Sequence, residues 1–182
     1  MLESIFKEII LDHYRRPRNK GAIDQPTVTI SMRNPLCGDE IELMLRIEGD
    51  QVSDIRFKGQ GCSISQASAS MMSQAVKGRS VGDAIDLERR FLALMHGEES
   101  AADDRSLGDL RALQGVARLP VRIKCALLGW NALDEAVKAH RNADRGYMGE
   151  RIEFGDMTAD VPDAARPPEG FDPGIEKEVL PE

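Results

Sequence analysis

The sequence predicts an α+β domain, because stretches with strand periodicity come first and stretches with helical periodicity follow them. Between Thr27 and Phe57 apolar and polar residues alternate in three short runs. From Ser63 to His140 small and apolar residues instead recur every three or four positions, the spacing of a helix face. The breaks between the early runs are short turns, which makes the strands an antiparallel meander.

Taken in order, Leu2, Ile5, Phe6, Ile9 and Ile10 mark an amphipathic helix to about Tyr14. Pro17 ends it, since the residue before a proline is pushed out of helical geometry. The first strand is the β-branched run from Thr27 to Met32. In the second, Ile41, Leu43, Leu45 and Ile47 alternate with Glu40, Glu42, Met44 and Arg46. After a Glu48-Gly49-Asp50-Gln51 turn, Val52 to Phe57 forms the third. Ile64, Ala67, Ser68, Met71, Met72 and Ala75 then define a helix with a small-residue face suited to very close packing. Ser80 caps another that runs towards Met95, and His96 to Asp104 reads as a polar loop. Leu107, Leu110, Leu113 and Val116 suggest a further helix, and Pro120 opens the last one, to about His140.

The chain has 182 residues, 41% hydrophobic and 30% charged, an ordinary globular composition in a length that buries a substantial core. No run approaches the roughly 18 to 20 apolar residues of a membrane span. Residues Met1 to Glu8 lack the basic flank, apolar run and cleavage site of a signal peptide. Three cysteines, an odd number, argue against a disulfide framework. The expected compartment is the cytoplasm.

The net charge of −7 is unevenly placed. Residues 148–182 hold ten acids, three bases and five of the nine prolines, leaving residues 1–147 with 21 charges of each sign. The expected organisation is a domain over 1–147 and an acidic, proline-rich tail over 148–182, extended or disordered and dispensable for the core chemistry. A neutral body offers no footprint for nucleic acid.

The chemistry lies with the cysteines. Cys37 sits in Asn34-Pro35-Leu36-Cys37-Gly38-Asp39, Cys62 in Lys58-Gly59-Gln60-Gly61-Cys62, and Cys125 in Arg122-Ile123-Lys124-Cys125. Two stand beside glycines, where backbone can approach a ligand closely, and Cys62 falls at a helix N-terminus, which favours a thiolate. Three thiolates plus the Asp39 carboxylate make four donors, the number a tetrahedral zinc site needs. Lys124 and Arg122 are cations that would lower the Cys125 pKa and offset a site charge of −2. With gaps of 24 and 62 residues and no CxxC, spacing leaves two readings open: one assembled site, or three unrelated packing cysteines. Lys124 and Arg122 have the equally plain reading of solvated helix charges. His13, His96 and His140 adjoin no cysteine; His13 is expected to interact locally on the first helix. Gly59 and Gly61 lack the Lys-Ser/Thr of a phosphate loop.

Together, Ile10-Leu11-Asp12-His13-Tyr14, Pro17-Arg18-Asn19, Asn34-Pro35-Leu36-Cys37-Gly38-Asp39, Gly59-Gln60-Gly61-Cys62, Ile64-Ser65-Gln66-Ala67-Ser68 and Arg122-Ile123-Lys124-Cys125-Ala126 resemble the IscU/NifU N-terminal family of iron–sulfur cluster assembly proteins, over about residues 1 to 141. The resemblance implies a three-stranded antiparallel sheet with helices packed on one face, and convergence of Cys37, Asp39, Cys62 and Cys125 on a metal or cluster. IscU-type scaffolds place a histidine where this chain has Lys124, and they lack the extra sequence around Phe91 to Arg111. Both departures resemble the SufU branch, zinc-dependent sulfurtransferases partnered with a SufS-type cysteine desulfurase. On that resemblance the cofactor is Zn²⁺ and the desulfurase presents a persulfide. A desulfurase histidine displaces Cys37 from zinc, Cys37 accepts the sulfur, and downstream iron–sulfur scaffold or acceptor proteins take it on. Lys124 and Arg122 give electrostatic support. The alternative is a scaffold on which iron or a [2Fe–2S] cluster is assembled on the same thiolates; a third reading is an adaptor with purely structural zinc.

Overall fold

A computed structural model describes residues 2–143 and 153–154. The elements are α1 (Leu2–Arg15), β1 (Val28–Asn34), β2 (Asp39–Glu48), β3 (Gln51–Gln60), α2 (Ser63–Val76), α3 (Val81–Met95), α4 (Glu99–Ala102), a 3₁₀ segment (Arg105–Arg118), α5 (Pro120–Ala143) and β4 (Glu153–Phe154). The α+β reading holds. β1 and β3 each pair antiparallel with the central β2, and Ser80 caps α3 by accepting the Asp83 N–H.

Three details depart from expectation. The helix expected at Leu107 to Val116 is wound as 3₁₀, kinked at Gly108. Glu99–Ala102 puts one helical turn into the loop expected at 96–104. Thirdly, Glu153–Phe154, inside the span expected to be extended or disordered, extends the sheet to the order β3-β2-β1-β4, parallel to β1. The rest of that tail lies outside the described residues.

β2 carries the fold because it is covered most completely. Ile41, Leu43, Leu45 and Ile47 are buried on one face, and Met44, expected on the polar side, is buried too. α5 packs across β1 and β2, while α2 lies against β3 and α5. The α2–α5 contact is close because it is made of small residues. A Cβ on Gly129 would already touch Ile41, Met72 and Ala69 at 3.4–3.5 Å, and the buried Ser68 hydroxyl donates to the Ala126 carbonyl at 2.6 Å. The insertion around Phe91 to Arg111 closes the far side: Phe91 stacks on Trp130 at 4.9 Å, and Leu94, Leu107 and Leu110 are buried with them.

The first helix is held at long range rather than locally. His13, 1% exposed, lies between Ser70 Oγ at 2.8 Å and Asp109 Oδ2 at 3.2 Å. Ser70 Oγ accepts the Arg18 N–H at 2.8 Å, and the Ser73 hydroxyl meets the Arg18 carbonyl at 3.1 Å. The serines of α2 thus satisfy the chain that turns at Pro17, which would otherwise bury unpaired backbone groups. A serine, histidine and aspartate in line resemble a nucleophilic triad, but Ser70 is fully buried and no substrate carbonyl can reach it.

Burial pushes the His13 pKa below its ordinary 6.5, against the pull of Asp109. The folded chain therefore resists a proton that the unfolded chain accepts. His13 contributes fully above about pH 6.5 and loses its contribution as pH falls through the lowered folded value. The Glu88 carboxyl, raised to about 7 by burial and Asp134, works oppositely: its penalty grows as pH rises, so comparison with a His13 variant isolates the histidine. Urea denaturation at about pH 7.5 and about pH 5.5 should show wild type losing more stability on acidification than His13→Gln. At the higher pH the variant should be weaker by about 1–3 kcal/mol.

Candidate metal centre

The site forms where three element ends meet: the β1–β2 turn, the β3–α2 junction and the second turn of α5. Asn34, buried at the end of β1, shapes the turn. Its Oδ1 accepts the Leu36 N–H at 3.2 Å, its carbonyl accepts the Gly38 N–H at 2.9 Å, and its Nδ2 faces Cys125 Sγ at 4.0 Å. Gly38 has φ +69°, a left-handed conformation that glycine takes without steric cost. Leu36 is 63% exposed at the crest, and Cys37 is half-buried beside it.

Asp39 opens β2 and is wholly buried. One carboxylate oxygen accepts the Cys62 N–H at 2.8 Å, and the other lies 4.0 Å from Cys62 Sγ. Gly61 makes room for it: a Cβ there would collide with Asp39 Oδ1 and lie 2.7 Å from Ser65 Oγ. Cys62 is the N-cap of α2, its sulfur accepting the Ser65 N–H at 3.4 Å. Cys125, fully buried, places Sγ 3.1 Å from Cys37 Sγ and 3.8 Å from the Val121 carbonyl.

Donor atoms of Cys37, Asp39 and Cys125 all lie within 4.8 Å of one another; Cys62 falls outside that group, its sulfur 4.0 Å from Asp39 Oδ2. Four ligands at about 2.3 Å from a tetrahedral zinc lie about 3.7 Å apart. The Cys37–Cys125 separation of 3.1 Å is shorter than that and the Cys62–Asp39 separation of 4.0 Å slightly longer, so Cys37, Asp39 and Cys125 are close enough to share one ion, with Cys62 beside them. The histidines stand elsewhere: His13 binds Ser70 and Asp109, His96 ends α3, and His140 is in the last turn of α5.

The electrostatics differ from the expectation that Arg122 and Lys124 would lower Cys125. A hydrogen bond from Cys125, with the Ser65 N–H, pulls the Cys62 thiol down to about 6 against burial and Asp39. Cys125, the donor in that bond and buried, is pushed upward instead. Arg122 does face the site. Burial opposes its charge, but the negative charges of Cys62, Cys125 and Cys37 outweigh burial and raise its pKa. Lys124 is half-buried one residue before Cys125. Asn34, Gly61 and Ser65 were visible only as neighbours of cysteines, without a role. The Asn-Pro dipeptide is a turn initiator, and a glycine directly before a capping residue is a signal of close approach.

The NifU-like N terminal domain family matches residues 5–145. The chain belongs to that family. It is 47% identical over 136 residues, 75% of this chain and 91% of the other, to the zinc-dependent sulfurtransferase SufU of Bacillus subtilis strain 168. It is 42% identical over 142 residues to the iron–sulfur cluster assembly scaffold protein IscU of Streptococcus pyogenes serotype M1, covering 78% and 88%. A solved structure assigned to an iron–sulfur cluster assembly scaffold protein for the SUF system of Fervidobacterium islandicum AW-1 superposes with TM-score 0.66 at 31% identity, over 74% of this chain and 98% of that one. Among the described residues no helix is long and apolar enough to cross a membrane.

If Gly61 exists to admit the Asp39 carboxylate, Gly61→Ala should cut bound zinc severalfold in elemental analysis. Gly21→Ala, with open space around it at φ +146° against +155° at Gly61, controls for backbone strain and should leave the metal content unchanged.

Proposed function

We propose that this chain is a zinc-dependent sulfur carrier for iron–sulfur cluster assembly, accepting persulfide sulfur from a SufS-type cysteine desulfurase. The observation that supports it best is the donor set: two thiols and a carboxylate gathered within 4.8 Å, the third thiol, Cys62, beside Asp39, and Lys124 rather than an imidazole before Cys125. The likeness to the Bacillus subtilis sulfurtransferase points the same way. Cys37, Asp39, Cys62 and Cys125 are the proposed ligands. Bound zinc would supply a redox-inert centre that holds thiolates ionised and exchanges ligands readily.

Cys37 is the proposed acceptor. Its thiolate attacks the outer sulfur of the partner's persulfide; the new S–S bond forms on Cys37 as the old one breaks, and the partner cysteine leaves as thiolate. No oxidant is consumed. Asp39 and the Cys62 N–H hold the β2 and α2 ends while this turn moves, and Arg122 offsets the negative charge of the site. Lys124 adds a cation but, while charged, has no lone pair for a metal. Downstream acceptors would take the sulfur onward. The structure's capacity for thiolate clusters, and the resemblance to a protein named as an IscU scaffold, keep a [2Fe–2S] scaffold as the second reading.

Metal analysis and colour of the isolated protein test the first reading: colourless with one zinc per chain supports the carrier, brown with visible absorption supports the scaffold. Incubation with desulfurase and cysteine, followed by peptide mass spectrometry, should place the added sulfur on Cys37. Cys37→Ala should keep much of its zinc yet accept no sulfur, whereas Cys62→Ala and Cys125→Ala should lose both zinc and melting temperature. Sulfur found on Cys62 or Cys125 contradicts the assignment.

Lys124→Ala should retain zinc and slow transfer modestly, the effect of one partly solvated charge. Lys124→His should accept a reconstituted cluster more readily than wild type, read as visible absorbance per chain. Equal cluster loading in wild type and the histidine variant would favour the scaffold.

A further inference from the structure

We propose that the segment from Gly155 to Glu182 docks in cis on the cysteine-bearing end of the fold, covering the apolar crest made by Leu36, Leu119 and Val121. Three independent observations point there.

The first is direction. β4 runs parallel to β1, with Glu153 opposite Ser31 and Phe154 opposite Met32. Only Arg33 and Asn34 remain of β1 before the turn that carries Leu36 and Cys37. Phe154 therefore stands two residues short of the end of β1, on a strand that points towards the Cys37 turn. An antiparallel pairing would have sent it to the opposite end of the sheet. Twenty-eight residues from 155 to 182 reach far more than the width of that end, up to about 90 Å when extended.

The second is the crest itself. Leu36, Leu119 and Val121 are 63%, 50% and 51% exposed, three of five large apolar side chains exposed to this degree among the described residues. They border one feature. Leu36 adjoins Cys37, whose sulfur touches that of Cys125, and the Val121 carbonyl faces the same Cys125 sulfur. Isolated exposed leucines need no explanation, but an apolar group around a reactive centre marks a contact surface.

Charge is the third. Residues 155–182 hold eight acids and two bases, and they bring Met157, Val161 and Phe171 as apolar anchors. The receiving end offers cations beside its thiols and carboxylates: Arg33 lies on β1 with an exposed side chain paired to Glu40, Arg118 is exposed before Leu119, and Arg122 faces the thiols. An acidic strand with spaced apolar residues matches that surface, and its hold weakens with salt.

The docking claim is separable from the sulfur-carrier reading, because amide exchange reads contact whether or not sulfur moves. The experiment uses the full chain, wild type and Asp156→Asn/Asp160→Asn/Asp163→Asn, with hydrogen exchange followed by mass spectrometry at about 20 mM and about 500 mM NaCl. Docking predicts that peptides spanning 35–38 and 118–123, and the tail itself, exchange at least about threefold more slowly in wild type at low salt. The difference should vanish in the triple variant and at high salt. Equal rates in both proteins at low salt overturn the proposal. So does sedimentation showing a dimer with protection of 118–123 that depends on protein concentration, since a second copy then covers the crest. A Leu119→Ser variant that frees the tail while β1 and β2 stay protected supports it without disturbing the fold.

Discussion

The arrangement depends on the burial of one carboxylate. Asp39 has no solvent exposure, and an ionised group so placed costs several kcal/mol unless it is paired. Its pairing to the Cys62 N–H joins the first residue of β2 to the first turn of α2, 23 positions later in the chain. That N–H stands at a helix N-terminus, where the partial positive charge of the aligned peptides favours an anion. The same bond fixes the approach of α2 to the sheet, leaving no room for a side chain on Gly61. The site and the sheet–helix packing are thus set by one contact. Any substitution that moves Asp39 disturbs both.

Much of this was legible beforehand because the strands are periodic and the caps are chemical. The alternation in β2 needed only its pattern, and Ser80 announced α3 by residue type. The cysteine motifs, taken with the family resemblance, pointed to three distant segments that the fold does bring together, although no local spacing could require that. What escaped reading was decided by tertiary context. The 3₁₀ winding of Arg105–Arg118 shares the apolar spacing of an α-helix over a short span, so pattern could not separate them. Met44 sits on the polar side of an alternating strand yet is buried by the fold. His13 read as a local contact because its partners, Ser70 and Asp109, lie 57 and 96 residues away. β4 escaped because composition spoke for the tail as a whole, and two residues cannot outweigh the ten acids and five prolines of that span.

The thiol electrostatics correct a habit of inference from sequence neighbours. Arg122 and Lys124 flank Cys125, and adjacency suggested a lowered thiol pKa there. Burial and proton sharing decide the matter instead. Cys125 is fully buried, which pushes its thiol up, while Cys62, at the helix cap, is drawn down. Neighbouring positions on a helix point about 100° apart, which is why Lys124, immediately before Cys125, need not serve it. Arg122 lies one turn before Cys125, three positions away, and that spacing does bring side chains together.

A choice among the thiols follows from what each would abandon by moving. Cys62 is the cap of α2, and its departure strands the Ser65 N–H at the start of the helix that covers β3. Cys125 is enclosed by α5 and Asn34, and moving it would carry a helix turn out of a closely packed core. Cys37 rides on a turn whose crest is exposed, and Asn34 anchors that turn from behind at Leu36 and Gly38. Backbone freedom at Gly38 lets the side chain swing while both strands stay paired. A sulfur acceptor has to leave its resting place and meet another protein, then return. Of the three, Cys37 is the one whose movement would neither uncap a helix nor open the core, and that argument for the proposed assignment is mechanical before it is chemical.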